Sequence, residues 1–210
     1  MTDRDLNRPL TIVNRFTVKG DPGKFEQDFR EHSQYLRRRP DFAYLVTVRL
    51  VDSPDVYVHI GHWRSLEGFI DTVHTETFLE HVQCLEPMVD TEADHAVSVD
   101  RVLVRNAREG HENVVLIPST VLGGCLEFEK EVRELSRHFV GTEGFGGFDL
   151  LRSALRPQQY LGVAWWYDTG SCDRALADDD CREAVGRLDR VARFRIERTR
   201  HIAYERGVAG

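Results

Sequence analysis

The alternation of hydrophobic and polar positions predicts the same order of elements in both halves of the chain: a strand, a helix, two strands joined by a turn, a helical stretch and a last strand. The predicted elements of the first half are Leu10–Val18, a helix from Asp21-Pro22-Gly23 to Pro40, Phe42–Val51, Val56–Trp63, Leu66–Glu86 and Ala96–Val104. Those of the second half are Val114–Val121, a helix carrying Phe128, Val132, Leu135 and Phe139, then Phe145–Leu155, Tyr160–Trp166, Cys172–Leu188 and Ala192–Tyr204. This βαββαβ order is that of a ferredoxin-like unit, and it predicts an α+β fold.

An internal repeat underlies this symmetry. A shift of 103 positions aligns the two halves without a gap, and 16 residues are identical between positions 17–85 and their counterparts, where about four are expected by chance. The aligned residues include Phe25 with Phe128, Phe42 with Phe145, Arg49 with Arg152, Pro54 with Pro157, Tyr57 with Tyr160 and Trp63 with Trp166. The sequence therefore predicts two fused ferredoxin-like repeats, at residues 1–106 and 107–210.

The second predicted strand indicates how the repeats pack. Leu45, Val46, Thr47 and Val48 make it apolar on both faces, so the sheet face that the helices leave bare must also be buried. Two sheets packed face to face bury it, and we expect one barrel-like body with a pocket between the sheets. The linker at residues 106–113 has no apolar period and should be exposed.

Composition and charge exclude several classes of protein. The 210 residues are 41% hydrophobic and 30% charged, which is typical of neither a disordered chain nor a membrane span. A formal net charge of −7 argues against a nucleic-acid partner. The first residues, Met1 to Asp5, do not resemble a signal peptide, and four cysteines without Cys-x-x-Cys spacing are expected to be reduced, so a cytoplasmic location is predicted.

Common cofactor motifs are missing from the sequence. There is no Gly-x-Gly-x-x-Gly after a strand and no phosphate-binding loop. His59 and His62 point to opposite faces of a strand, while His74 and His81 lie two helical turns apart, so neither pair has the spacing of metal ligands. No metal site and no resident cofactor are predicted.

A few polar residues stand where the pattern calls for apolar ones. Asn14 shares a strand face with Phe16, so its amide needs a buried partner, either neighbouring backbone or a ligand. Trp63 shares a face with Tyr57 and His59, and its indole N–H can only donate. Trp166 duplicates Trp63, which leaves a structural role open for both.

The second repeat lacks most of these polar groups. Asn14 aligns with Ile117, Tyr44 with Gly147, His59 with Gly162 and His74 with Ala177. A fold needs none of the four polar side chains. The first repeat is therefore predicted to hold the reactive site, and the second to support it.

Two stretches carry a family resemblance. Residues 13–20, Val-Asn-Arg-Phe-Thr-Val-Lys-Gly, and residues 61–65, Gly-His-Trp-Arg-Ser, followed by Phe69, His74, Thr75 and Phe78, resemble the antibiotic biosynthesis monooxygenase family of dimeric alpha-beta barrels. The likeness covers most of the first repeat and, more weakly, the second. It implies a tandem, single-chain pseudo-dimer of this barrel.

The resemblance also implies a chemistry. Members of the family include small oxygenases that convert anthrone-type aromatic polyketides to quinones with dioxygen and without flavin, haem or metal. Their strand Asn and hairpin Trp match Asn14 and Trp63, which implies catalytic roles for these two residues, with His74 as the candidate base. Haem-degrading relatives carry a ligating His where this chain has Val82, so haem chemistry is not expected.

The remaining expectations concern ligands and alternatives. Tyr44, Tyr57, His59 and Phe16 are predicted to line the substrate site. The expected partner is a small planar aromatic substrate, with no nucleic acid or membrane, and a further homodimer is compatible with the pseudo-dimer. A polyketide cyclase on the same fold and a non-catalytic aromatic-ligand carrier stay open as alternatives.

Overall fold

The structure is a computed structural model that describes residues 5–208. In this part of the chain six α-helices and nine strands form an α+β fold with a large antiparallel sheet. The strands are β1 (Leu10–Val18), β2 (Phe42–Leu50), β3 (Val56–Trp63), β4 (Val89–Leu103), β5 (Val114–Val121), β6 (Phe145–Ser153), β7 (Gln159–Trp166), β8 (Ala192–Phe194) and β9 (Glu197–Arg206). The helices are α1 (Pro22–Leu36), α2 (Leu66–Val73), α3 (Glu76–Leu85), α4 (Cys125–Val140), α5 (Thr169–Ala177) and α6 (Asp179–Leu188), with a short 3₁₀ helix at Glu86–Met88.

Each predicted helical stretch before a last strand is two helices. Thr75 starts α3, because its hydroxyl accepts a hydrogen bond from the backbone N–H of Phe78 at 3.4 Å. Asp178 starts α6 in the same way, through the N–H of Asp180 at 2.8 Å. A side chain that satisfies free N–H groups favours a new helix N-terminus inside the stretch.

The strand β4 begins at Val89, seven residues before the predicted start at Ala96. Its first half pairs antiparallel with β1, from Val18 opposite Val89 to Thr11 opposite Ala96. Five of the six residues between Val89 and Ala96 are polar and none of the six is buried, so they carry little apolar signal.

The chain divides into two compact units. Unit 1 comprises the chain up to Arg49, Ser53–Ala96 and the chain from Ile202, and unit 2 comprises Leu50–Asp52 and Val97–His201. The strands β4 and β9 each contribute residues to both units. These limits follow from packing contacts within the chain. The boundary between the two sequence repeats after residue 106 stays a prediction.

Unit 1 has the strand order β4-β1-β3-β2-β9, and β1–β3, β1–β4 and β2–β3 pair antiparallel. Helix α1 packs its apolar face on this sheet in two clusters. One joins Phe25 and Phe29 of α1 to Phe16 and Tyr57, and the other contains Leu36 of α1. Residues of the second cluster are Leu10, Ile12, Leu36, Phe42, Leu45 and Trp63.

Unit 2 repeats this arrangement with β5, β6 and β7. The pairs β5–β7 and β6–β7 are antiparallel, β6 neighbours β4, and β8 and β9 both pair with β5. One apolar cluster fills its core, with Phe128, Leu135 and Phe139 of α4 packed against Trp166. No helix in the described residues is long and apolar enough to cross a membrane.

Candidate active site

Asn14 lies in the middle of β1, opposite His59 of β3 and Ala93 of β4. Its neighbours on the same strand face, Ile12 and Phe16, pack in clusters that contain residues of α1. The Asn14 side chain is therefore on the helix-covered face of the unit 1 sheet. It is half-buried, and within the described part of the chain its amide makes no hydrogen bond. Polar groups that are sheltered from water usually have a hydrogen-bond partner. Because the Asn14 amide has none within the protein, it is available to a ligand.

Two ring nitrogens lie next to Gly61 on this face. A Cβ atom at Gly61 would be 3.0 Å from Nε2 of His59 and 3.9 Å from Nε1 of Trp63. His59 is buried, and its other ring nitrogen, Nδ1, lies 3.4 Å from the hydroxyl of Thr47. Both nitrogens therefore lie close to the backbone of Gly61, on the side of β3 where this residue carries no side chain.

The indole of Trp63 is fixed by aromatic contacts. Phe42 and Phe69 pack edge-on against it, with ring centroids 5.3 and 5.5 Å away. Among residues 5–208 its Nε1–H has no hydrogen-bond acceptor. In unit 2 the counterpart Trp166 donates from Nε1 to the hydroxyl of Thr142 at 2.9 Å. The indole donor is satisfied inside the protein in unit 2 and left available in unit 1.

Three histidines lie along the helix-covered face, from β3 to α3. The ring of His59 packs 5.0 Å from Phe29, which lies 5.8 Å from His32, and His32 lies 5.6 Å from His81. Burial, with a smaller contribution from His32, lowers the pKa of His59 to about 3. Burial and then His81 lower the pKa of His32 to about 4. Both rings are neutral near pH 7 and act as hydrogen-bonding groups.

Phe16 and Tyr57, two predicted substrate contacts, belong to the apolar core. Tyr57 is fully buried, and its hydroxyl donates to Glu26 at 2.6 Å, while burial and this carboxylate raise its pKa. Tyr160 of unit 2 donates to Glu129 in the same way at 2.8 Å. A contact present in both units is structural, so the Tyr57 hydroxyl is not free for a substrate.

Tyr44, a third predicted substrate contact, is on the opposite sheet face from Asn14. A register shift between Phe42 and Tyr44 places Phe42 opposite Trp63 but Tyr44 opposite His62. The rings of Tyr44 and His62 stack with centroids 4.2 Å apart. The structure therefore does not bring Tyr44 to the other candidates.

His74, the candidate base, is the exposed C-cap of α2. Its Nδ1 lies 2.8 Å from the carbonyl oxygen of Ile70, and because a carbonyl only accepts, Nδ1 carries the proton. Only Nε2 is left to take a proton. No contact in the described residues joins His74 to Asn14 or Trp63, and its catalytic role stays a prediction.

The pocket that we expected between the two sheets stays a prediction, and the candidate residues that do come together lie on the helix-covered face of the unit 1 sheet. Asn14, His59 and Trp63 face the helices of unit 1, because the pairing of β1 with β3 sets them on the same side as Ile12. Ile12 belongs to the cluster that contains Leu36 of α1. The candidate site is thus enclosed by the sheet and helices of a single unit.

The same positions in unit 2 are apolar and closed. The counterparts of Asn14 and His32 are Ile117 and Leu135, both buried in the core. At Gly162, which replaces His59, an added Cβ would lie 3.3 Å from Ile117 and 3.5 Å from Phe148. Half-buried residues of α2 and α3 are likewise replaced by small, buried ones: Phe69 by Cys172, Phe78 by Cys181 and His81 by Ala184.

One other group of side chains has the composition of a metal site. His138, Asp178 and Asp180 of unit 2 place ligand atoms within 4.8 Å of one another, and both carboxylates are exposed. Oδ1 of Asp178 already accepts the N–H of Asp180 as a helix cap. We assign this group to helix capping, and the predicted lack of a metal stays a prediction.

Sequence reasoning missed His32, Thr47 and Gly61. His32 lies on the apolar face of α1, three residues after Phe29 and four before Leu36, so it could have been found by the criterion that selected Asn14. Thr47 and Gly61 gave no such signal. Their importance follows from their places in the sheet. Thr47 lies directly opposite His59, and Gly61 follows His59 by two residues on the same face of β3.

Comparison with known proteins shows a relationship to monooxygenases. No protein-family model matches the chain. The deoxynogalonate monooxygenase of Streptomyces nogalater is 32% identical over 83 residues, which cover 40% of this chain and 70% of that enzyme. A candidate monooxygenase from Fusobacterium nucleatum superposes with a TM-score of 0.79 over 97% of this chain and 96% of its own, at 8% identity, and shows the same fold.

SnoaB from Streptomyces nogalater, a further solved structure that resembles part of the chain, is described as a cofactor-independent oxygenase. The two sequences are 29% identical, the match covers 44% of this chain and 95% of SnoaB, and the TM-score is 0.43. Because the chain is 32% identical to a named monooxygenase over 70% of that enzyme, it is an oxidoreductase. On the shared sequence, it belongs to the family of the deoxynogalonate monooxygenase of Streptomyces nogalater.

Proposed function

We propose that the chain is a cofactor-free monooxygenase that oxidises an anthrone-type carbon of a polycyclic aromatic polyketide to a quinone with dioxygen. The observation that carries the proposal is the pair of unpaired polar groups on the helix-covered face of unit 1, the amide of Asn14 and the indole N–H of Trp63. Unit 2 has Ile117 and a hydrogen-bonded Trp166 at these positions. The kinship with the deoxynogalonate monooxygenase of Streptomyces nogalater supports an oxygenase reaction.

The reaction needs a dry site with hydrogen-bond donors. Loss of a proton from the anthrone methylene gives a carbanion that is conjugated to the ring oxygen and is electron-rich enough to reduce dioxygen. A new C–O bond forms, the peroxide takes up a proton, and the hydroperoxide loses water to leave the C=O of the quinone. One oxygen atom of dioxygen thus enters the product and the other leaves as water.

Two groups of the site match the two developing charges. We assign the Asn14 amide N–H to the substrate oxygen, where charge grows as the proton leaves. We assign Nε1–H of Trp63 to the oxygen-derived anion, on the side of β3 that also carries His59. A preorganised donor stabilises such charge strongly because it needs no reorientation in a site that excludes water.

His59 and His74 have different proposed roles. A pKa of about 3 makes His59 a poor proton acceptor near pH 7, because a general base works best with a pKa near the operating pH. We propose that His59 orients substrate through Nε2. His74 stays the proposed base, acting through its exposed Nε2.

The experiment is oxidation of an anthrone or naphthacenone by the purified protein under air and under argon, followed by oxygen uptake and by quinone absorbance. We expect faster quinone formation than in a protein-free control, with one dioxygen consumed per quinone, and no flavin or Soret band in the protein spectrum. A rate equal to that of the protein-free control would refute the proposal. Turnover of a polyketide precursor that persists under argon would favour the cyclase alternative.

A further inference from the structure

A buried threonine lies against the ring of His59. Thr47 of β2 is directly opposite His59 of β3, and its hydroxyl oxygen lies 3.4 Å from Nδ1 of that ring. Both residues are buried. Among residues 5–208 this contact is the only side-chain hydrogen bond of either residue, so Nε2 of His59 has no partner there. The imidazole is therefore engaged at Nδ1 and available at Nε2.

The Thr47 hydroxyl decides which ring nitrogen of His59 carries the proton. Because burial lowers the pKa of His59 to about 3, its ring is neutral near pH 7 and holds a single proton. A hydroxyl has one hydrogen to donate, and Nδ1 is the acceptor that it contacts. If Nδ1 carried the proton, the hydroxyl hydrogen would be buried without an acceptor, which is rare in folded proteins. Nδ1 therefore accepts, and the ring proton is on Nε2.

Unit 2 replaces this group as a whole. Three positions lose their hydrogen-bonding side chain or gain a methyl group: Thr47 becomes Leu150, His59 becomes Gly162 and Gly61 becomes Ala164. A Cβ atom at Gly61 would lie 3.0 Å from Nε2 of His59, so an alanine fits without displacement only where the imidazole is missing. Leu150 and Ala164 belong to the apolar core of unit 2. The same sheet thus packs without the three residues of unit 1, which favours a functional role for them.

The Nε2–H group of His59 is on the same sheet face as two other donors. Asn14 lies opposite His59 on β1, and Trp63 follows His59 by four residues on β3. The amide of Asn14 and the indole of Trp63 also have N–H groups without an acceptor among residues 5–208. Three such donors on one face match a ligand that presents oxygen acceptors.

We propose that Thr47 is a positioning residue that holds His59 in its Nε2–H form, so that His59 donates a hydrogen bond to an oxygen atom of the aromatic ligand. This inference rests on the proposed function for the identity of the ligand, whereas the position of the ring proton does not depend on it. In the proposed reaction the Nε2–H group supports the same substrate oxygen as the Asn14 amide, where negative charge grows. His59 takes up no proton in this role.

The first test locates the ring proton in the protein without ligand. Long-range ¹H–¹⁵N correlation NMR of the histidine side chains distinguishes a protonated from an unprotonated ring nitrogen. We expect the wild-type protein near pH 7 to carry the His59 proton on Nε2 and none on Nδ1. Thr47→Val keeps the shape of the side chain but removes the hydroxyl, and it should increase the share of the Nδ1–H form. Thr47→Ser should restore the wild-type pattern.

The second test asks whether this N–H group binds an oxygen atom. It compares two neutral probes that differ only in the ring carbonyl groups, 2-(hydroxymethyl)anthraquinone and 2-(hydroxymethyl)anthracene, by quenching of tryptophan fluorescence. We expect the wild-type protein to prefer the anthraquinone. Thr47→Val should reduce this preference about 3- to 10-fold, as for the loss of one hydrogen bond, and leave binding of the anthracene unchanged. A merely structural role of Thr47 would weaken the binding of both probes alike.

The matched control is Thr11→Val. Thr11 makes the same kind of contact on the opposite face of the sheet, where its hydroxyl lies 3.0 Å from Nδ1 of His62. This variant should change neither the His59 signals nor the preference between the probes. A proton on Nδ1 of His59 in the wild-type protein, or a preference that Thr47→Val leaves unchanged, would overturn the inference. If both tests give the expected results but no anthrone is ever oxidised, the proposed oxygenase function fails and the His59 donor stands.

Discussion

Replacing Asn14 by alanine should separate catalysis from stability. The amide makes no hydrogen bond within the described residues, so its removal leaves no partner unsatisfied. The free energy of unfolding should change by less than about 1 kcal/mol, as for substitutions outside the core. Removal of one preorganised donor typically lowers kcat by about 10²-fold or more. Stopped-flow measurement of quinone formation and a thermal melt of the same sample give both quantities.

The counterpart substitution in unit 2, Ile117→Ala, provides the control. Ile117 is 4% exposed and packs tightly against β7. A Cβ atom added at Gly162 would lie 3.3 Å from the Cβ of Ile117. Truncation of a buried isoleucine costs about 2–5 kcal/mol. At roughly 2–4 °C of Tm per kcal/mol for a chain of this size, the melting temperature should fall by at least about 4 °C. The rate per folded molecule should hardly change.

The reverse result would refute this reasoning. If Asn14→Ala kept the wild-type kcat, the amide would not contact the reacting atoms. If Ile117→Ala lowered kcat at a concentration where the protein is fully folded, the reactive site would lie in unit 2. A large loss of Tm in Asn14→Ala would mean that the amide has a structural partner after all.

Four further outcomes follow from the site. Trp63→Phe should lower kcat by about 10²-fold with a small change in Tm, because it removes the indole N–H donor but keeps an aromatic ring. An unchanged kcat would exclude a catalytic role for Trp63. Gly61→Ala should weaken binding of a quinone product in a fluorescence titration, since the new methyl group would lie 3.0 Å from Nε2 of His59 and displace that ring. Unaltered affinity would contradict this. His74→Gln should lower kcat and leave quinone binding intact, and a wild-type kcat would remove His74 as the base. The free energy of unfolding, measured with urea, should fall as the pH drops from about 6.5 toward 4. In this range the unfolded chain protonates His32 and His59, while the folded chain keeps both rings neutral. A free energy of unfolding that does not change with pH would contradict their burial as neutral rings.

The sequence predicted those parts of the fold that carry a clear apolar period. The strands Leu10–Val18 and Val56–Trp63 are confirmed residue for residue, since runs rich in β-branched and aromatic residues end at turn-forming residues. The first half of β4 was missed, because its polar residues are exposed and its order comes from pairing with β1. Such long-range pairing leaves no local signal.

The site could be predicted only where a polar residue interrupts an apolar face. Asn14 was found in this way, and its placement beside His59 follows directly from strand register. Tyr44 was misplaced because a single register shift after Phe42 turns it to the other face.

The central claim is that unit 1 itself catalyses the insertion of oxygen from dioxygen into an aromatic ring system. The most direct measurement is mass spectrometry of the quinone formed from an anthrone under ¹⁸O₂, with metal- and flavin-free protein and with Asn14→Ala at the same concentration. We predict one ¹⁸O atom per quinone, formed at a rate about 10²-fold higher with the wild-type protein than with Asn14→Ala. Oxygen derived from water, or equal rates for the two proteins, would contradict the account.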